Sequence, residues 1–136
     1  MKFITCIALA LMLGACSTKT VEEQQTDLLV QLITSGQWVV SNYTKGGADV
    51  TADFSGYRFQ FKDNNTVDAI KNGSVEKTGS WVGNATSRTI ISEFTNAAAA
   101  LMLLNGTWYV NDSGLTFVVA SQTVNGEARN LRLDKQ

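Results

Sequence analysis

From Gly36 to the C-terminus the chain is built of short runs rich in Val, Ile, Thr, Phe, Tyr and Trp, separated about every ten residues by Gly, Asn, Asp and Ser. Runs of this length and composition predict β-strands rather than helices. Eight stand out: Gln37–Tyr43, Tyr57–Lys62, Thr66–Lys71, Val75–Val82, Arg88–Phe94, Thr107–Asn111, Leu115–Ala120 and Ala128–Leu133. The clearest is Tyr57-Arg58-Phe59-Gln60-Phe61, where strict alternation puts three aromatic rings on one face and two polar side chains on the other. Leu131-Arg132-Leu133 repeats the pattern on a smaller scale. Lys62-Asp63-Asn64-Asn65, Asn72-Gly73 and Asp112-Ser113-Gly114 lie between runs and suit tight turns that need residues tolerant of positive φ. Successive strands joined by tight turns predict a short, eight-stranded, antiparallel up-and-down barrel, since closure removes the edges that an open sheet would expose.

Two segments depart from the strand pattern. Asp27–Ser35, with Leu28, Leu29, Leu32 and Ile33, Thr26 or Asp27 near the N-cap and Gly36 just past the end, predicts a short N-terminal helix. Between strands five and six, Asn96–Leu104 carries four alanines followed by Leu101, Met102, Leu103 and Leu104, with Thr95 or Asn96 to start a helix and Asn105-Gly106 to stop it. A two-turn helix apolar on every side would be an adhesive surface if exposed. It is therefore expected across an open end of the barrel with Leu101 and Leu104 facing inward as a cap; the rival expectation is a docking surface.

The first residues read differently again. Lys2 precedes an apolar run from Phe3 to Leu13, followed by Leu13-Gly14-Ala15-Cys16. This is the layout of a cleavable secretory signal. A helix of eleven residues would span about 16 Å, half of a bilayer core, which argues against a membrane-spanning helix. Leu-Gly-Ala-Cys resembles the lipobox of bacterial lipoprotein precursors. That resemblance implies removal of residues 1–15, acylation of Cys16, and, with Ser17 rather than Asp following, sorting to the outer membrane. The expected organisation is a signal peptide at 1–15, a lipidated flexible tether at 16–25 and one β-barrel domain at 26–136. The expected location is the cell envelope, with the membrane as partner through lipid on Cys16.

Processing also simplifies the chemistry. Cys6 leaves with the signal and Cys16 carries lipid, so the mature domain of 136 − 15 = 121 residues has no thiol for a disulfide and must rely on its hydrophobic core. Without Lys2, ten basic residues face twelve acidic ones, a net charge of −2 with no cluster of either sign, which gives no basis for a nucleic-acid partner. Histidine is absent, removing the commonest general base and metal ligand. Asp49 and Asp53 could be imagined as an acid and base pair, but two loop carboxylates without a third positioned group are better read as turn formers. Lys45, Lys62, Lys71 and Lys77 lie in polar, turn-like contexts. Asn84-Ala85-Thr86 and Asn105-Gly106-Thr107 read as turns rather than glycosylation sites in a bacterial chain. The expectation is a non-enzymatic protein without metal or cofactor.

Gly36-Gln37-Trp38, Asp53-Phe54-Ser55-Gly56-Tyr57-Arg58-Phe59-Gln60-Phe61, Thr78-Gly79-Ser80-Trp81 and Leu104-Asn105-Gly106-Thr107-Trp108 together resemble the lipocalin-like domain of small bacterial lipoproteins, across most of Ser35 to Leu133. The resemblance implies an eight-stranded barrel able to take a small apolar ligand. It also implies that Trp38 closes one barrel end beneath an arginine near the last strand, Arg132 or Arg129. Trp38, Tyr57, Phe59, Phe61, Trp81 and Trp108 are the candidate ligand-lining residues. Their plainer reading is as core, because an eight-stranded barrel is only just wide enough for its own side chains. The alternative to ligand binding is a filled barrel that contacts another envelope protein.

Overall fold

The computed structural model describes residues 19–136. The signal segment at 1–15 and Cys16 lie outside the described residues. In order, the elements are helix α1 (Val21–Thr34), β1 (Trp38–Lys45), β2 (Ala48–Asp49), a 3-10 turn (Thr51–Phe54), β3 (Tyr57–Phe61), β4 (Thr66–Lys71), β5 (Ser74–Asn84), β6 (Thr89–Glu93), helix α2 (Ala99–Met102), β7 (Gly106–Ser113), β8 (Phe117–Val124) and β9 (Glu127–Lys135). Each of the eight strands read from the alternation has its counterpart. β2 is an additional two-residue stub that turns back on the end of β1 through Thr44↔Asp49 and Lys45↔Ala48.

Every neighbouring pair of long strands is antiparallel, and β1 pairs with β9 from Trp38↔Lys135 to Lys45↔Arg129, so the sheet closes on itself. The architecture is an all-β closed barrel of eight strands with a short helix before it and another between β6 and β7. The hairpin turns carry the expected chemistry. Asn72-Gly73 joins β4 to β5 with φ of +51° and +86°, and Asn125-Gly126 joins β8 to β9 with +50° and +81°. Both residues of each pair sit in the left-handed region, the geometry whose twist matches that of the flanking strands.

The β1–β3 seam is the weakest join, with the single ladder pair Trp38↔Phe59. Gln60 supplements it by donating from Nε2 to the Gly36 carbonyl at 3.2 Å. Bulges in β1 between Val40 and Asn42, and in β7 between Val110 and Asp112, re-aim the side chains beyond them. In β1 the bulge returns Tyr43 to the interior after the two exposed residues Ser41 and Asn42.

Helix α1 begins six residues before the expected Asp27. Thr20 caps it, accepting at Oγ1 from the Glu23 amide at 3.2 Å, with Glu22 and Glu23 in the first turn. Acidic residues there complement the helix dipole, a local signal that the apolar pattern does not carry. Residues 21–25, expected as tether, are therefore helical. Only Leu29, Val30 and Ile33 turn toward the core, whereas Leu28 is exposed. Close approach of α1 to the barrel depends on Gly83, where a Cβ would stand 3.1 Å from Leu29 and 3.2 Å from the Trp81 ring.

On the outer wall, Asp68 lies between Lys62, with Nζ to Oδ2 at 2.6 Å, and Thr78, whose hydroxyl donates to Oδ1 at 2.7 Å. The hydrogen bond from Lys62 first, then that from Thr78, holds the Asp68 carboxyl below its ordinary value. A depressed carboxylate pKa contributes stability above the unfolded-state pKa, and this is lost as pH falls through the folded-state pKa. Urea titrations at pH 7, 4 and 2.5 should show wild-type stability dropping on acidification below about pH 4, with a visibly smaller drop for Asp68→Asn. An unchanged acid profile in Asp68→Asn would remove this residue from the account.

Candidate functional site

The candidate site is the barrel interior and its two closures. β1, β3, β4, β6, β7, β8 and β9 send residues inward, and Phe59, Phe61, Val67, Ile90, Phe94, Trp108, Val118, Leu131 and Leu133 are all buried on that axis. The space left among them is ≈ 40 Å³. Among its lining residues only Ser92 is polar, and its hydroxyl is already committed to the Leu104 carbonyl. Among the described residues, every buried side-chain nitrogen and oxygen has a partner within the protein.

The first end is plugged by α1. Ile33 enters the interior and its carbonyl accepts from Trp38 Nε1 at 2.9 Å. The cation over Trp38 is Lys135, with Nζ 5.0 Å from the ring centroid, and the same Nζ donates to the Leu32 carbonyl at 3.1 Å and to Ser35 Oγ at 2.9 Å. This corrects the expectation that Arg132 or Arg129 would cover Trp38. Arg132 lies between the inward Leu131 and Leu133, so its side chain must point outward. There it sits 4.9 Å over the Phe117 ring and pairs with Asp134 at 3.0 Å. Arg129 faces the interior side but at the opposite end, where it pairs with Glu127 at 3.0 Å. Lys135 shares the parity of Leu131 and Leu133, and extending that alternation by two residues would have found it.

Trp81 also belongs to the α1 end. Its indole donates to the Lys62 carbonyl at 2.8 Å, and its ring meets Phe61 edge-on with centroids 5.4 Å apart.

The second end is closed by residues 95–105, of which only Ala99–Met102 are helical. Leu101 is completely buried and Leu104 nearly so. Backbone carbonyls at the end of the segment are fastened from inside the barrel. Tyr43 donates from its hydroxyl to Leu103 at 2.6 Å, and Trp108 Nε1 donates to Leu104 at 2.9 Å. Asn105 completes the attachment by exchanging two hydrogen bonds with the Phe94 backbone at 2.6 and 2.9 Å. Tyr43 stacks on Phe54 at 5.3 Å and meets Trp108 edge-on at 5.7 Å. The helix is one turn rather than two because Asn96 takes φ of +49° and Ala98 is extended, with φ −56° and ψ 151°, so the helix starts only at Ala99.

Tyr57 lies on this rim, stacked on Phe59 at 6.0 Å and donating to the Glu76 carboxylate. Burial first, then the bond to Glu76, pushes its pKa up to about 12, so the phenol stays neutral through the physiological range. Asp49 and Asp53 form no acid and base pair. Asp49 accepts from the Thr51 amide at 2.9 Å in a turn; the Thr51 side chain first and this amide second lower its pKa, and Asp53 is an exposed residue of the 3-10 turn. A shallow depression of ≈ 540 Å³ on the outer wall is lined by Gln37, Gly56, Arg58, Ile70, Asn72 and Gly73. Arg58 is its one charged residue.

The closed antiparallel barrel has counterparts in overall fold among solved structures. A DUF4847 family protein from Bacteroides vulgatus superposes with a TM-score of 0.56 at 14% identity, covering 79% of this chain and 99% of that one. Japanin from Rhipicephalus appendiculatus, solved bound to cholesterol, superposes with a TM-score of 0.52 at 4% identity over 76% of each chain. The fold is lipocalin-like. At these identities the likeness is one of fold alone. No protein-family model matches the chain, and no curated protein matches it in sequence.

Proposed function

We propose that this chain is an exported, non-catalytic lipoprotein, anchored through lipid on Cys16 in the outer membrane, whose barrel works through its surface against another envelope component rather than by carrying a ligand inside. The observation that carries the reading is the interior space of ≈ 40 Å³. A small-molecule site usually needs about 300 Å³ or more. The polar groups on the interior side are already paired, Tyr43, Ser92 and Trp108 with cap carbonyls and Arg129 with Glu127, leaving none to orient a guest. The outer wall, by contrast, exposes Val82 and Ile91 directly opposite one another on β5 and β6, with Tyr109 one strand further on. Such a patch suits contact with a protein.

The second reading is an apolar ligand taken up by opening the cap. It is favoured by the almost entirely apolar lining and by the cholesterol bound in Japanin, a barrel of similar fold.

Two measurements test the proposal. Labelled palmitate should enter the protein, the mature chain should begin at Cys16, and Cys16→Ala should abolish both. Cholesterol or a fluorescent fatty acid titrated into the purified protein should leave the emission of Trp81 and Trp108 unchanged at micromolar concentration. Saturable one-to-one binding there would replace the filled-barrel reading with the carrier reading.

A further inference from the structure

We infer that the α1 end of the barrel rests on the lipid surface, with Val21, Leu28 and Leu115 dipping into the headgroup layer and the capped end pointing away from the membrane. The inference rests on the lipid anchor at Cys16 proposed above and adds an orientation and a contact surface to it.

Chain length supplies the first argument. Because α1 already begins at Val21, five residue steps separate it from Cys16, and even fully extended they reach about 18 Å. The ten-residue tether expected from sequence would have reached about 35 Å and left the barrel free to tumble. Since the headgroup layer itself occupies roughly 5–8 Å on each side of a bilayer, the start of α1 is kept within about two helical turns of it.

The exposed apolar side chains supply the second argument. Val21 and Leu28 are seven residues apart, two helical turns, and so lie on one face of α1, with exposures of 65% and 64%. That face is turned away from the barrel, since Leu29 and Ile33 are the residues packed against it. Leu115, 80% exposed, is the most exposed large apolar residue described, and it stands at the tip of the β7–β8 turn. That turn belongs to the same end. The Lys135 amide donates to the Thr116 carbonyl at 2.8 Å, and the Lys135 ammonium donates to Leu32 of α1 at 3.1 Å.

Charge selects the kind of surface. Glu22 and Glu23 follow Val21 in the first turn and Lys19 is engaged with Asp27, so the first turns of α1 offer no uncompensated cation to an anionic leaflet, and the exposed Arg88 of the β5–β6 turn at the same end is outnumbered by the two carboxylates. A neutral, zwitterionic surface fits.

Depth measurements on the full-length lipidated protein in phosphatidylethanolamine and phosphatidylcholine vesicles test this. Environment-sensitive probes would be placed on Leu28→Cys, Leu115→Cys and, at the capped end, Ser74→Cys. All three positions are exposed, so the substitutions should leave the fold intact. Spin-labelled lipid should quench the probes at 28 and 115 at least twofold more than the probe at 74. If the protein floats with the vesicles but all three probes are equally accessible to water, the placement is wrong and the anchor stands. If the protein neither takes up palmitate nor floats, the anchor reading fails and the placement falls with it.

Discussion

Leu101→Asp should lower the melting temperature of the protein by 15 °C or more, while Met102→Asp, one residue along, should shift it by only a few degrees. Leu101 is 0% exposed and Met102 42%. The first substitution removes a packed leucine, which costs about 2–5 kcal/mol in a core, and buries a carboxylate with no partner, which adds several more. Since a domain of this size loses roughly 3–5 °C for each kcal/mol, the lower bound is conservative. Leu104→Asp should act in the same direction. The comparison separates the two meanings the apolar segment had in sequence. A docking surface would tolerate aspartate at 101 and lose a partner, whereas a cap loses stability. Thermal unfolding followed by circular dichroism decides it, and equal melting temperatures for Leu101→Asp and the parent would overturn the cap.

Phe59→Ala should destabilise the barrel by about 3–5 kcal/mol, against less than about 0.5 kcal/mol for the neighbouring Arg58→Ala. Phe59 sits at the middle of the interior face, stacked on Tyr57 and paired across the weak β1–β3 seam with Trp38. Arg58 is exposed on the outer wall. Gln60→Ala should fall between them, at about 1 kcal/mol, because it gives up the bond to Gly36 that helps to hold the seam. The hole left by Phe59→Ala is bounded by apolar side chains and should stay dry. Benzene should then recover part of the lost melting temperature, as it does in other engineered apolar cavities, and should do nothing for the parent. Chemical denaturation gives the stabilities. Similar losses at 58 and 59 would contradict the inward assignment.

Both predictions bear on how the interior is used. A lipocalin-like barrel becomes a carrier only when its residues leave room, and here the room is taken by the protein's own rings. Phe59, Phe61, Phe94 and Trp108 converge on the axis, Ile33 enters from one end and Leu101 and Leu104 close the other. The hydrogen bonds from Tyr43, Ser92 and Trp108 to consecutive cap carbonyls explain why three polar side chains point inward at all. Their role is to satisfy backbone groups that the mouth of the barrel would otherwise leave unpaired.

The strands were legible in the sequence because their signal is local. Period-two alternation at Tyr57 to Phe61 fixes which face is buried without reference to any partner, and Asn72-Gly73 fixes the turn between its two strands through φ alone. The same locality placed the two helices approximately, and Leu101 and Leu104 of the second segment are buried. Three features were decided by the tertiary structure. The seat of α1 on the barrel depended on the packing of Leu29 over Gly83, a contact between segments more than fifty residues apart, whereas its start is set locally by the Thr20 cap. The cation over Trp38 depended on the β1–β9 register, which places Lys135 opposite Trp38 and turns Arg132 outward. The volume of the interior depended on how side chains from both ends and most strands fill one shared space. A pattern of inward and outward positions specifies direction, but a cavity is the small difference between two large volumes, and only the packed structure determines that difference.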